Sequence, residues 1–458
     1  MTDVKEYLSS RFDKDVEELV EFLRIPSVSA QSQHREDVSR AARWLAEHLS
    51  RMGMKDARVL PTAGHPIVYA EWIDDPAKPT ALIYGHYDVQ PVDPLPLWQS
   101  PPFEPAVREG RLYARGASDD KGQVMIHLAA LRAWLATRGR LPVNVRVLIE
   151  GEEEVGSPSL EPYLLTHPDL VRADFIVISD TGMFAPGLPT LCTGLRGIAV
   201  AEVHVTTAAT DLHSGLYGGA APNAVQVLCE LIAACKGPDG RVAIPGFYDR
   251  VLEPSAAERA SYGSLPFDER GVLAGLGLKA FAGEAGYSPF ERMTIRPTFE
   301  VNGMWGGFLG EGSKTVIPRE ARAKITCRLV PDQEPEEVLD LLAAHLRRIC
   351  PPYASVEVER GAGGRPWKAS LGHPATEAAI RALEAAFGRK AATVPSGGSI
   401  PIVESLDRVT GAPMVLMGFA DPDCNAHAPN EFFSLETFRM AREACAVFWQ
   451  EVAGALGA

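Results

Sequence analysis

Short apolar runs of strand length alternate with helical patterns over the first 180 residues. The strand-like runs are PIVYAEW, TALIYGHYDV, NVRVLIEGEEE and DFIVISDTG, and apolar residues recur at helical spacing over about residues 37–52 and 123–137. Strands separated by helices favour a largely parallel sheet, which binds ligands at the carboxyl ends of its strands. We therefore predict an α/β fold with a mostly parallel sheet flanked by helices.

The pattern changes after Pro189. LRGIAVAEVHVTT alternates like a half-exposed antiparallel strand, strand-like runs lie near residues 296–302 and 320–329, and residues 335–349 have helical spacing. Beyond the linker-like GAGGRPW, a helical pattern and the strand-like APMVLMGF restore the α/β alternation. These changes predict a catalytic domain formed by residues 1–188 and 367–458, interrupted by an inserted α+β domain at 189–366.

The overall charge limits the partners of this chain. Its 458 residues include 59 acidic and 45 basic side chains, which give a formal charge of -14 and disfavour nucleic acid or an anionic membrane as a partner. The seven cysteines are scattered without a CxxC pair, so neither a disulfide framework nor a thiolate zinc site is expected. The charged N-terminus has no apolar signal-peptide core. We predict a cytoplasmic protein.

Residues that commonly bind metals occur in five separate segments. Several of them follow predicted strands, so their side chains are expected to converge at one sheet edge. Two imidazoles and several carboxylates suit a pair of divalent ions about 3.5–4 Å apart, which requires a bridging carboxylate. A further carboxylate must remain free as a general base. The segments contain His86 with Asp88, Asp119 with Asp120, the glutamates 150 and 152–154, Asp180, and His427.

Each segment also has a structural explanation when it is taken alone. Adjacent aspartates often cap helices, a glutamate run is often solvent-exposed, and His127 on an apolar helix is interpreted as a packed histidine. The conjunction of five segments favours a metal site. The chain has no HExxH or GxSxG, and in GGFLGEGSKT a serine separates Gly312 from Lys314, which excludes a phosphate-binding loop. The residues alone leave open whether glutamates 152–153 or 153–154 are the functional pair.

The motifs GHYDVQP, WQSPPFEP, GRLYARGASDDKGQ, EGEEEVGS, ISDTG, DLHSG and AHAPNE, in this order, closely resemble the M20 metallopeptidase family. Within that family the chain is similar to carnosinase-type, broad-specificity dipeptidases. The resemblance implies that His86, Asp119 and Asp180 bind one ion and that Asp119, Glu154 and His427 bind a second. The expected ions are zinc, with manganese and cobalt as alternatives.

The resemblance also assigns roles around the ions. It implies that Glu153 is the general base, that Asp88 orients His86, and that the peptide bond between Asp119 and Asp120 is cis. The inserted domain is expected to act as a lid and to form a homodimer. In that arrangement His213 would reach the active site of the partner subunit and stabilise the oxyanion.

Four further positions match residues that contact substrate in the family: Asn302, Thr315, Arg328 and Ser399. Arg328 is the natural partner for a free C-terminal carboxylate. Aspartate rather than glutamate at position 180 tends to accompany aminopeptidases and dipeptidases. We therefore expect a di-metal hydrolase that cleaves dipeptides with a free C-terminal carboxylate. The alternatives are an N-acyl amino acid deacylase of the same fold and a non-enzymatic binding protein.

Overall fold

The structure is a computed structural model that describes residues 1–457. The chain forms two compact units. Unit 1 comprises Met1–Thr193, Ala369–Val394 and Pro401–Ala458, and unit 2 comprises Gly194–Lys368 and Pro395–Ile400. Residue 458, the last of the predicted catalytic domain, lies outside the described residues.

The described residues contain these helices and strands. The helices are α1 (Thr2–Ser10), α2 (Phe12–Leu23), α3 (Arg35–Arg51), α4 (Lys121–Arg138), α5 (Leu160–Thr166), α6 (Ser214–Tyr217), α7 (Ala224–Ala233), α8 (Ala256–Gly263), α9 (Glu269–Leu276), α10 (Pro289–Thr294), α11 (Pro335–Ile349), α12 (Pro374–Phe387), α13 (Pro401–Thr410) and α14 (Leu435–Leu456). The strands are β1 (Lys55–Leu60), β2 (Ile67–Trp72), β3 (Thr80–His86), β4 (Ala106–Arg108), β5 (Arg111–Tyr113), β6 (Asn144–Glu150), β7 (Phe175–Ile178), β8 (Thr190–Leu195), β9 (Gly197–Thr206), β10 (Leu212–His213), β11 (Glu300–Gly306), β12 (Val316–Ile317), β13 (Glu320–Leu329), β14 (Ser355–Arg360), β15 (Trp367–Lys368), β16 (Ala392–Pro395), β17 (Met414–Gly418) and β18 (Phe432–Ser434).

Unit 1 is built on a mixed sheet with a parallel centre. The strand order is β1-β2-β6-β3-β7-β17-β8, and β16 also pairs with β8. Strands β6, β3, β7 and β17 are mutually parallel, whereas β1, β2 and β8 pair antiparallel at the two sides. The predicted α/β class with a mostly parallel sheet flanked by helices is confirmed. Because the central strands are parallel, their carboxyl ends meet at one edge.

Helix α4 lies in the core of unit 1. All of its residues from Lys121 to Trp134 are buried, as expected for a helix covered on every side. The indole Nε1 of Trp134 donates to the carbonyl of Ala446 on α14, at 3.0 Å. This tight packing fixes the beginning of α4, and therefore Asp119 and Asp120, which immediately precede it.

Unit 2 contains a four-stranded antiparallel sheet in the order β11-β13-β9-β14. Burial alternates strictly along β9, so one face is packed and the other partly exposed, as its sequence predicts. Helices α7 and α11 pack on this sheet. The GGFLGEGSKT segment runs from Gly306, the last residue of β11, to the residue before β12, without the helix that a phosphate-binding loop requires.

One predicted strand is present with different bounds. The strand expected near residues 296–302 is β11, which begins at Glu300 and ends at Gly306. The polar stretch before it contains α8, α9 and α10, and the first and last of these helices begin with capping boxes at Ser255 and Ser288. Among residues 1–457, no helix is both long and apolar enough to cross a bilayer.

Candidate metal centre

The predicted ligands follow the carboxyl ends of the parallel strands. His86 is the last residue of β3 and pairs in register with Glu150, the last residue of β6. Asp180 follows β7 by two residues, and His427 lies in the loop after β17. Since these strands are neighbours in the sheet, segments far apart in sequence meet at one edge.

Asp119 lies between the two histidines. One carboxylate oxygen, Oδ1, is 3.0 Å from Nε2 of His86, and the other, Oδ2, is 2.8 Å from Nε2 of His427. The peptide bond between Asp119 and Asp120 is cis, as expected. A carboxylate with each oxygen directed at a different imidazole has the geometry required of a bridging ligand.

Two further carboxylates complete two groups of three. Asp180 Oδ1 lies 3.8 Å from Nε2 of His86, and Glu154 Oε2 lies 3.3 Å from Nε2 of His427. Within each group the ligand atoms lie within 4.8 Å of one another, and Asp119 belongs to both groups. These are the two sets of three that the family resemblance implies.

Asp88 connects His86 to the glutamate segment. Its backbone carbonyl is 3.1 Å from Nδ1 of His86, and its carboxylate Oδ1 is 3.4 Å from the same nitrogen. The carboxylate also accepts hydrogen bonds from the backbone N–H groups of Glu153 and Glu154, at 3.2 and 3.1 Å. One completely buried side chain therefore positions both the imidazole and the turn that carries two acidic residues.

The four glutamates of the EGEEEVGS segment have different environments. Glu150 accepts hydrogen bonds from the hydroxyl groups of Tyr84 and Ser157, at 2.5 and 2.8 Å. Glu152 accepts hydrogen bonds from the backbone N–H groups of residues 65 and 159, at 2.9 and 3.2 Å. Only Glu154 joins a ligand group, and Glu153 remains outside both groups. This arrangement favours glutamates 153–154 as the functional pair.

The buried carboxylates of this cluster favour bound cations. Burial, reinforced by the charges of Asp180, Glu154 and Asp119, raises the pKa of Glu153 to about 9, although His86 opposes the shift. Burial also raises the pKa of Asp180 to about 6. Within residues 1–457 the ion pairs of the ligand carboxylates are with histidines, and no lysine or arginine lies within 4.0 Å of them.

The pKa values of the two histidines are also raised. Hydrogen bonds to Asp119 and Glu154 raise the pKa of His427 to about 10. Burial opposes charge on His86, yet Asp119, Asp180 and Asp88 raise its pKa well above the ordinary value. The carboxylates thus favour positive charge at both imidazoles. Because oxygen and imidazole donors in this arrangement suit divalent ions, the residues fit a pair of metal ions.

Glu431 is a component of the site that the sequence analysis missed. This fully buried carboxylate accepts hydrogen bonds from the backbone N–H groups of Gly116, Ser118 and Asp119, at 2.9, 2.9 and 3.1 Å. It also pairs with the buried guanidinium of Arg115 at 2.7 Å. Glu431 therefore joins the loop that carries His427 to the loop that carries Asp119. Its position at the end of the AHAPNE motif was the available signal.

The remaining predicted residues belong to unit 2. His213 ends β10, is exposed, and accepts a hydrogen bond at Nδ1 from the backbone N–H of Gly215 at 3.0 Å. Asn302 lies on β11 and Thr315 directly precedes β12, and both side chains are exposed. Arg328 on β13 donates from a terminal guanidinium nitrogen to the hydroxyl of Ser399 at 2.8 Å. The structure thus brings Arg328 and Ser399 together within this unit.

Ligands of this kind at the edge of a parallel α/β sheet define a candidate metallohydrolase. The sequence profile described as Peptidase family M20/M25/M40 matches residues 82–451. The chain belongs to this family, and the resemblance stated from its motifs is confirmed. It is accordingly a metallopeptidase.

Individual relatives cover nearly the whole chain. A Cys-Gly metallodipeptidase of Schizosaccharomyces pombe is 30% identical over 455 residues, which cover 94% of each protein. A Beta-Ala-His dipeptidase of Rattus norvegicus is 29% identical over 466 residues, which cover 98% of this chain and 94% of the relative. The crystal structure of an M20 family metallo-carboxypeptidase from Sulfolobus solfataricus matches with a TM-score of 0.83 and 34% identity, covering 96% of this chain and 99% of that structure.

Proposed function

We propose that this protein is a di-metal dipeptidase that hydrolyses dipeptides with a free C-terminal carboxylate. The observation that carries the proposal is the position of Asp119 between His86 and His427, with one oxygen directed at each imidazole. The names of the relatives support the substrate class, since two of them are dipeptidases of Cys-Gly and Beta-Ala-His.

The proposed ligands of one ion are His86, Asp119 and Asp180, and those of the second are Asp119, Glu154 and His427. Zinc is the ion we propose, with manganese and cobalt as alternatives, because oxygen donors combined with imidazole accept all three. When bound, such ions polarise a carbonyl group and lower the pKa of water.

Glu153 is the proposed general base. It belongs to neither ligand group, and its backbone N–H is held by Asp88. Its carboxylate would accept a proton from the attacking water as the new C–O bond forms at the peptide carbonyl. It would then give that proton to the amine nitrogen as the C–N bond breaks, which releases two amino acids.

Residues of unit 2 are proposed to complete the reaction. Because Nδ1 of His213 accepts a backbone hydrogen bond, a neutral imidazole carries its proton on Nε2 and can donate it to an oxyanion. Arg328 is proposed to bind the substrate carboxylate, and Asn302, Thr315 and Ser399 to contact the substrate. We also propose that residues 189–366 form the lid and the homodimer interface, and that the protein is cytoplasmic.

The most direct test of the general base compares two adjacent glutamates. Glu153→Gln should lower kcat by about 10²–10⁴-fold, because general base catalysis contributes this much, while both ions remain bound. Glu152→Gln is the matched control, since Glu152 accepts only backbone hydrogen bonds from residues 65 and 159, and its kcat should stay within several-fold of the wild type. Metal analysis accompanies each assay. Near-normal turnover by Glu153→Gln would refute the assignment.

Substrate panels distinguish the proposal from its alternatives. Free dipeptides such as Ala-Gly should be cleaved faster than N-acetylated amino acids, which a deacylase would prefer. They should also be cleaved faster than N-acetylated peptides, which a carboxypeptidase accepts because it does not need a free amino terminus. A metal-loaded protein that cleaves none of these substrates would instead be a binding protein.

Subunit mixing tests the role of His213. His213→Ala should be nearly inactive because it lacks the proposed donor to the oxyanion. His427→Ala should be nearly inactive because it lacks a proposed metal ligand. If His213 serves the partner subunit, a mixture of the two variants forms some dimers with one intact site and regains activity. The absence of any regain after verified subunit exchange would contradict the proposed dimer contact.

A further inference from the structure

Two arginines of unit 2 have no carboxylate partner. Arg196 precedes β9, Arg328 lies on β13, and no acidic side chain of the described residues lies within 4.0 Å of either guanidinium. Several other arginines of this unit are paired: Arg322, also on β13, lies 3.0 Å from Glu202, and Arg296 lies 2.8 Å from Glu284. Arg270, Arg292, Arg347 and Arg348 also lack a carboxylate partner, but Arg196 and Arg328 are both half-buried and both bind the loop formed by residues 397–399.

A short loop holds the two guanidiniums near each other. The Nε of Arg196 donates to the carbonyl of Gly397 at 2.9 Å, and its backbone N–H donates to the carbonyl of Gly398 at 3.0 Å. The hydroxyl of Ser399 donates to the carbonyl of Arg196 and accepts a hydrogen bond from Arg328 at 2.8 Å. Ser399 thus links the backbone of one arginine to the side chain of the other.

Close packing fixes this loop. A Cβ atom at Gly397 would lie 2.4 Å from the carbonyl oxygen of Met293 and 3.2 Å from a terminal guanidinium nitrogen of Arg196. The first distance is a clash with backbone, so a larger residue would displace the loop. The glycine therefore allows the loop to lie directly against the Arg196 side chain.

The electrostatics favour a bound anion between these side chains. Burial and the neighbouring charge of Arg328 lower the pKa of Arg196 to about 10, although the charge of Glu300 opposes the shift. Both terminal nitrogens of Arg196 and one of Arg328 make no hydrogen bond within residues 1–457. Guanidinium groups bind carboxylates through parallel N–H donors, and a carboxylate has an oxygen for each of two guanidiniums.

We propose that Arg196 is a second specificity-determining residue, which binds the C-terminal carboxylate of the dipeptide together with Arg328. This inference rests on the proposed dipeptidase function and deepens it. When an amide replaces the substrate carboxylate, both arginines are left without a counter-ion. Binding should therefore depend strongly on the free carboxylate.

The test compares Ala-Gly as substrate with Ala-Gly amide as competitive inhibitor. Arg196→Met should raise KM for Ala-Gly by about 10–100-fold, since a charge-assisted hydrogen bond contributes about 1.5–3 kcal/mol, with a smaller change in kcat. The inhibition constant of the amide should stay within about two-fold, because the amide lacks the carboxylate that Arg196 binds. The matched control is Arg322→Met on β13, the strand that carries Arg328, and it should change neither value. An unchanged KM, or equal shifts for both compounds, would overturn the proposal.

A double variant separates direct binding from support of the loop. If Arg196 contacts the carboxylate, Arg196→Met should raise KM further in an Arg328→Met background. If Arg196 only holds the loop for Arg328, the second substitution adds nothing and the proposal fails. Wild-type protein that cleaves no dipeptide with any added metal would instead refute the underlying function.

Discussion

Glu431 accepts a hydrogen bond at 3.1 Å from the backbone N–H of Asp119. The same carboxylate oxygen accepts another from the N–H of Ser118, while the second oxygen faces Gly116 and Arg115. All acceptor directions of this buried side chain are therefore used to hold the loop that ends at Asp119. The position of the proposed bridging ligand depends on a residue that belongs to neither ligand group.

Replacing Glu431 by Gln should destabilise the protein and weaken metal binding. A glutamine amide would direct N–H groups at the donors of Arg115 or of the loop, and the buried guanidinium would lose its counter-ion. Breaking a buried pair in this way costs about 3–5 kcal/mol. Denaturant unfolding and zinc titration measure the two effects. The control is Glu436→Gln, whose exposed pair with Arg439 contributes little; equal behaviour of both variants would contradict the assigned role.

Replacing Asp88 should impair both the imidazole and the glutamate turn. Asp88→Asn retains one oxygen acceptor for the N–H groups of residues 153 and 154, whereas Asp88→Ala retains none. Loss of such a supporting carboxylate typically lowers metal affinity or activity by about 10–100-fold. We expect Asp88→Ala to be the more damaged variant in kcat/KM and in metal affinity. Identical losses in the two variants would show that the hydrogen bonds to this turn are unimportant.

His48 should make stability depend on pH. Burial lowers the pKa of this side chain to about 4, with Arg132 adding to the shift and Glu18 opposing it. Since the unfolded chain has the ordinary value of about 6.5, it binds the proton first on acidification. The stabilising contribution is therefore complete above pH 6.5 and is lost as the pH falls to about 4.

The measurement is the free energy of unfolding of metal-free protein between pH 7 and 4. Over this range the free energy of unfolding of the wild type should fall by up to about 3 kcal/mol more than that of His48→Gln. This difference corresponds to lowering the pKa of His48 from about 6.5 to about 4. Parallel curves for the two proteins would contradict the depressed pKa.

Metal binding should stabilise the folded protein. The proposed ligands around Asp119 come from distant segments of the chain, and a ligand that binds only the folded state adds about 2.7 kcal/mol at a concentration of 100 times its Kd. Added zinc should therefore raise Tm in wild type and much less in Asp119→Ala. Chelation should reverse the increase. An equal rise in both proteins would indicate binding elsewhere.

The sequence predicted the parts of the site that lie at strand ends. The apolar runs before His86 and Asp180 have strand length, and parallel pairing brings such ends together. The choice among glutamates 150 and 152–154 required the family resemblance. Hydrophobic periodicity and composition do not show which of these side chains form hydrogen bonds away from the metal site. In the structure those partners are Tyr84 for Glu150 and backbone N–H groups for Glu152.

Other features could not be predicted from local pattern. The role of Glu431 depends on backbone N–H groups of a loop more than 300 residues earlier in the chain. Helices α8 and α10 are short and lie in a polar stretch, so their main signal was the capping Ser-x-x-Glu at Ser255 and Ser288. The prediction that His127 is a packed histidine agrees with its burial and its 2.8 Å contact with the hydroxyl of Ser179.

The most direct test of the central claim is anomalous diffraction from zinc-loaded crystals, recorded at the zinc absorption edge. We predict two peaks per chain, separated by about 3.5–4 Å, with each of the two Asp119 oxygens about 2.0–2.2 Å from a different peak. A single peak, or two peaks that do not share Asp119, would contradict the proposed centre.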